Sequence, residues 1–382
     1  MTDILIQQAS RHGVYVQSFA GHLANLFDPY LKRLVNELII IMNNSPETTR
    51  SIRRINQIVN EWRRASLSVY GSYNDDVLFA ELEPFAVGES EWELKSLKSV
   101  VKAPGLSLAA PAAQQVWTGV LSTPLIFPDS KGVKLLDPFI KDWELGQINK
   151  VSDIIRIGYT TGRTNQQIVK DIIDQNSGIL GSKSKGGTRA SIKTMVRTAT
   201  NSVSNIAREQ TRKANDDIVI GYEIIATLDS RTSTYCRGVD GTKVFYKGLI
   251  IWGSTGRREK TTFRPMPPFH PACRDSTTSI LDPIYDVDDT GQTRASKGVS
   301  GGKQVDAETT YYGFLKVQGS QGPKGRAWVQ DIMGIERGNL LIDGGLSAKE
   351  FAKLTLDDVF QPIPLKELRK KESLTLAFDN VD

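Results

Sequence analysis

Cysteine and histidine are scarce in this 382-residue chain: two thiols, Cys236 and Cys273, and three imidazoles, His12, His22 and His270. Two cysteines exclude a disulfide framework as the organiser of the fold, and cytoplasmic reduction argues against even one structural bridge. Three histidines leave little general-base capacity outside the neighbourhood of His270. Long apolar runs are also missing. Leu38-Ile39-Ile40-Ile41-Met42 falls far short of the roughly 20 residues that span a bilayer, so no membrane partner is expected. Neither a Walker-type phosphate loop nor His-Glu-x-x-His occurs, which removes an ATPase or a zincin; Gly186-Gly187 and Gly301-Gly302 read as flexible turns. Met1-Thr2-Asp3 is not followed by a basic region and an apolar secretory core, so synthesis in a cytoplasm is expected.

What remains is globular in composition, with 39% hydrophobic and 24% charged residues, and long enough for two or three domains. The net charge of +5 permits nucleic-acid contact without demanding it. Its distribution says more. Between Ser182 and Lys213 eight basic residues face one acid, Glu209, a local excess of +7. Lys193, Arg197, Arg208 and Arg212 are the candidate phosphate contacts on double-stranded DNA, and pairing with acids elsewhere in the fold would hide them.

Apolar spacing predicts helices over 13–43 and 49–66, with Asp28-Pro29 splitting the first, Pro46 near the start of the second, and Gly71 to Asp75 ending it. Pro, Ala, Gly and Ser over 103–113, and the turn signal at 128–132, mark a loop-rich segment. Helical spacing resumes over 137–159, again after Thr164, and in a long helix through Ile192, Met195, Val196, Ala199, Val203 and Ile206. β-character follows, with strands expected at 219–227 and 243–246 on either side of the Asp240-Gly241 turn. The expected fold class is α+β, helix-rich in its N-terminal and middle regions with a small β-containing motif domain. The expected divisions are a helical domain over 1–110, a linker over 111–145, a motif domain over 146–285 and a C-terminal extension with short helices over 286–382.

The most specific constellation lies between 229 and 274: Asp229, Arg231, Thr232, Cys236, Asp240, Gly241, Pro267, Pro268, His270, Cys273 and Arg274. In order and spacing it resembles the phage Mu F-like head-morphogenesis family, whose motif runs Asp-x-Arg-Thr, Cys, Asp-Gly, Pro-Pro-x-His-x-x-Cys-Arg. The likeness extends over about 145–370, through Thr198, Asn201 and Asn205, and through Tyr312-Gly313-Phe314-Leu315 and Gly344-Gly345-Leu346. It implies a minor head protein, not an enzyme, that associates with the portal protein and other head proteins. Such a protein is made in the host cytoplasm, lies inside the virion head near the portal, and acts in DNA packaging, retention or exit. An internal virion protein ejected with the DNA is the neighbouring alternative.

The chemistry of the constellation reads in three ways. Cys236, His270 and Cys273 supply two thiolates and an imidazole for zinc, with Asp229 or Asp240 as the fourth ligand. Some relatives carry more cysteines around these positions, where this chain has Ser233 and Asp275. Alternatively the motif is purely structural: Pro267-Pro268 fixes an extended segment, His270 bonds a carbonyl, Arg274 pairs with Asp229, and the thiols are small buried hydrophobes. The third reading is a processing or nucleic-acid-modifying enzyme using Cys236, His270 and Asp229 as nucleophile, base and orienting acid.

Overall fold

A computed structural model describes residues 3–102, 106–128, 133–285 and 291–381, and in it the chain is α+β, with 58% of residues helical and 11% in strands. Helices α1 (Asp3–Asn25) and α2 (Asp28–Asn43) divide at Asp28-Pro29, where proline's fixed φ and missing N–H suit a first helical turn. Helix α3 (Ile52–Tyr73) starts at Ser51, whose hydroxyl accepts from the Arg54 amide; Pro46 stays in the loop ahead of it.

The break expected at Gly71 to Asp75 does not occur. The backbone widens into a π-helical stretch (Asn74–Phe79) and continues as α4 (Ala80–Val100). Tertiary bonds hold it there: the Tyr73 hydroxyl donates to the Leu23 carbonyl at 3.0 Å, and the Asn74 amide donates to Glu144. Packing overrides a weak local preference.

The segment expected to be a linker is largely ordered structure. It carries α5 (Ala113–Ser122), the β1 (Leu125–Ile126) and β2 (Val133–Lys134) pair, and the first turns of α6 (Leu136–Thr160); part of the 128–132 turn lies outside the described residues. Helix α7 (Asn165–Ile173) opens with the signal at Thr164, whose hydroxyl accepts from Gln167 while the Gln167 side chain accepts from the Thr164 amide. Helix α8 (Thr188–Lys213) then runs through the middle of the molecule, in contact with α1, α4 and α5. One apolar core extends from Val16 to Ala207, so neither 110 nor 145 separates two cores.

Beyond α8 the chain forms β3 (Val219–Ile225), β4 (Leu228–Asp229), the short helix α9 (Thr234–Val239), β5 (Lys243–Phe245), β6 (Leu249–Ile251), β7 (Arg258–Lys260) and β8 (Ser276–Leu281). Five of these strands make an antiparallel sheet in the order β7-β6-β5-β3-β8. The expected extension adds β9 (Thr293–Gly298) and β10 (Gly301–Asp306); β9 pairs in parallel with β4. Helices α10 (Tyr311–Gly319), α11 (Pro323–Met333), α12 (Ile335–Asp343) and α13 (Ala348–Thr355) close a second core running from Tyr222 to Phe378. The motif region and the C-terminal region thus share one interior.

Candidate metal centre

Two segments far apart in sequence meet at the centre. On one, the Ser233 hydroxyl accepts from the Cys236 amide at 3.2 Å, starting α9 and placing Cys236 on its first turn. On the other, a cis Pro267-Pro268 bond leads into the turn His270–Cys273, closed by the Cys273 amide donating to the His270 carbonyl at 3.1 Å. Within that turn Ala272 has φ 57°, and its amide donates to the Thr198 hydroxyl of α8 at 2.8 Å. A left-handed φ is uncommon for a residue with a side chain, so the α8 contact is part of what shapes this turn.

Cys236 Sγ lies 3.1 Å from His270 Nε2 and 3.9 Å from Cys273 Sγ, and the three donor atoms all fall within 4.8 Å of one another. Two thiolates each about 2.3 Å from one tetrahedral zinc stand about 3.8 Å apart, close to the observed sulfur separation. The Cys-His-Cys cluster can therefore hold a metal ion. His270 Nδ1 sits 2.9 Å from the Pro271 carbonyl, which leaves Nε2 directed at the sulfurs.

The electrostatics point the same way. A hydrogen bond donated by the imidazole to the Cys273 sulfur outweighs the effect of burial and lifts His270 to about 9. Burial pushes the Cys273 thiol up, but hydrogen bonds to Cys236 and His270 outweigh it and hold that thiol well below its ordinary value. Burial, the Cys273 hydrogen bond and the Asp275 charge push Cys236 well up. Burial, and then the charge of Cys273, do the same to Asp275. Four groups compete for protons in a closed space, and a divalent cation relieves that competition by displacing them.

Neither carboxylate expected as the fourth ligand is free for the role. Asp229 accepts both guanidinium nitrogens of Arg274, at 2.6 and 2.7 Å, and the Arg231 amide at 2.9 Å. Asp240 accepts the Ala226 amide at 2.8 Å, the Tyr311 amide at 2.7 Å and Arg294 at 3.0 Å. Both carboxylates are occupied by donors that pin β3, β4 and α10 together; Gly241, at φ 73°, allows the turn beside Asp240. Thr232 completes this knot by donating to the Thr227 carbonyl. His270 turns Nδ1 to the Pro271 carbonyl and Nε2 to Cys236 and has no hydrogen bond to Asp229, so the expected Cys236, His270 and Asp229 arrangement does not form.

Asp275, two residues after Cys273, is buried at 2% exposure beside this centre and its Oδ2 has no hydrogen-bond partner, but its carboxylate is not among the donor atoms that converge.

The phosphate-facing stretch also needs correction. Arg208 and Arg212 are 1% and 0% exposed. Arg212 Nε donates to Glu93 at 2.8 Å, and Arg208 donates to Ser276 Oγ at 2.7 Å beside Glu89. They cannot face DNA, because α8 is enclosed by α1, α4 and the sheet, and α4 supplies the opposing carboxylates. Arg189 pairs with Asp28. Lys193 and Arg197 are half-buried, while Lys183, Lys185 and Lys213 are exposed.

No family model, no curated protein and no solved structure matches the chain. Among the described residues no helix is long and apolar enough to cross a membrane.

Proposed function

We propose that this chain is a minor head protein of the phage Mu F-like type, a structural component, and that Cys236, His270 and Cys273 hold a zinc ion. The observation that carries this reading is the convergence of the resemblance motif. Asp229, Arg274 and Thr232 tie one strand end together, Asp240 and Gly241 tie another, and the cysteines and histidine meet between them. A zinc ion bound there would supply a cross-link between α9 and the 267–273 segment through three protein ligands. The thiols favour structure over catalysis, since Cys236 and Cys273 are 1% and 0% exposed and a nucleophile must be reached by its substrate.

In this role the protein is made in the host cytoplasm and sits inside the head near the portal, with the portal protein, other head proteins and double-stranded DNA as its partners. Quantitative mass spectrometry of purified heads, before and after DNA release, tests the assignment. A few copies per head are expected, and a phage lacking the gene is expected to build heads that are non-infectious or retain DNA poorly. Loss of the protein on DNA release would mark it as an ejected component. Normal burst size in the deletion phage would remove the assignment altogether.

A further inference from the structure

A polar cavity of about 290 Å³ lies where α1 crosses the sheet. Arg197 of α8, Arg231 after β4 and Arg274 before β8 line it, facing a wall of small α1 residues that includes Ala9, Ser10 and Gly13. Three guanidiniums meet there, and the carboxylate that answers them is Asp229. It is bidentate to Arg274 but meets the Arg231 guanidinium only once, at 3.3 Å, and the Arg231 side chain remains 75% exposed. Arg197 makes no ion pair among the described residues, and its buried Nε has no hydrogen-bond partner. A buried donor left unpaired is a cost that a bound acceptor removes.

The opposite wall is kept small. A Cβ built at Gly13 meets nothing within 4 Å, so there is open space beside α1 at this point. Glycine inside a helix is less favourable than alanine, a cost that α1 bears next to the cavity. We propose that this cavity is a binding site for a phosphate group, gripped by Arg197 and Arg231 while Asp229 holds Arg274 in place behind them. Guanidinium forks match the oxygen spacing of phosphate, and three such charges against one carboxylate leave room for a dianion where a carboxylate ligand would leave positive charge unmatched. The site does not depend on the head-protein assignment or on zinc.

The phosphate can come from a small ligand or from a DNA backbone, and two arms on the full-length protein separate these. In the first, calorimetry at low ionic strength measures binding of inorganic phosphate. Arg197→Gln and Arg231→Gln are each expected to weaken it about ten-fold or more, as charge-assisted bonds of this kind require. Lys213→Gln, at the exposed far end of α8, leaves it unchanged. Gly13→Leu, which fills the α1 wall without altering charge, weakens it as well. In the second arm, fluorescence anisotropy follows a short duplex DNA. Displacement of that DNA by phosphate, together with the same losses in both arginine variants, identifies the backbone as the source; phosphate binding without DNA binding identifies a small ligand. Absence of phosphate binding, or binding that survives in the Arg197→Gln, Arg231→Gln double variant or in Gly13→Leu, overturns the site.

Discussion

Arg212 carries a formal charge into the interior and depends above all on Glu93, 119 positions earlier in the chain. Burial alone would push Glu93 up, but Arg212 and Arg208 outweigh it and hold the carboxylate below its ordinary range. Removing one member of such a pair strands the other, so Arg212→Met is expected to cost about 3–5 kcal/mol in urea unfolding. Arg212→Met combined with Glu93→Leu should recover part of that loss, because Glu93 is then not stranded, while the buried Glu209, 3.7 Å from Arg212, still loses one partner. The sequence shows Arg208 and Arg212 as basic residues on a helix, but burial is decided by α4, and no local pattern connects Glu89 and Glu93 to them. The cluster at Cys236, His270 and Cys273 was legible, since His270 and Cys273 are closely spaced and the resemblance motif joins them to Cys236, 34 residues before His270. Its surroundings were not, because the commitment of Asp229 and Asp240 to arginines and amides is a tertiary matter. Two further carboxyls set a pH dependence. Burial lifts Glu144 and Glu223 from 4.5 to about 7. A folded value above the unfolded one means that the stability these groups contribute is present below pH 4.5 and is lost as pH rises through 7. Glu93 and Asp229, held low, act in the opposite sense at more acidic pH. Glu144→Gln should therefore raise stability more at pH 8 than at pH 5; an equal change at both would place the dependence elsewhere.

Elements were most legible where caps and breaks carry a local chemical reason. Asp28-Pro29 separates α1 from α2, and Thr164 with Gln167 starts α7. The π-helical stretch after Tyr73 was not legible, because Gly71, Asn74 and Asp75 favour a turn unless a neighbour holds them. The α6–α7 junction offers a test of packing against propensity. A Cβ at Gly158 would lie 2.5 Å from Ile168 Cγ1, and Ile168 is fully buried with a stiff, β-branched side chain that cannot swing away cheaply. Gly158→Ala should improve helix propensity yet destabilise the protein by about 1–3 kcal/mol, the usual cost of overpacking. A raised melting temperature in that variant would show that the two helices have room to part.

At the scale of the whole molecule, the fold class was readable from the change of periodicity after Asn215, whereas the sequence divisions at 110, 145 and 285 were not boundaries between cores. Composition marks loops, but the partners of a helix are set by what it covers: α1 reaches α8, β8 and β9, and β9 completes a sheet begun at β4. The centre at Cys236, His270 and Cys273 lies within this continuous structure, fixed to α8 through Ala272 and Thr198. Bound metal there should stabilise the folded chain in proportion to its affinity, because the unfolded chain cannot bring the three ligands together. The most direct measurement is native mass spectrometry of the full-length protein purified under reducing conditions, paired with thermal unfolding with and without a strong chelator. One zinc per chain is expected, absent from Cys273→Ser, with a lower melting temperature once it is stripped. A metal-free chain whose melting temperature is the same with and without chelator, and unmoved by added zinc, would contradict the account.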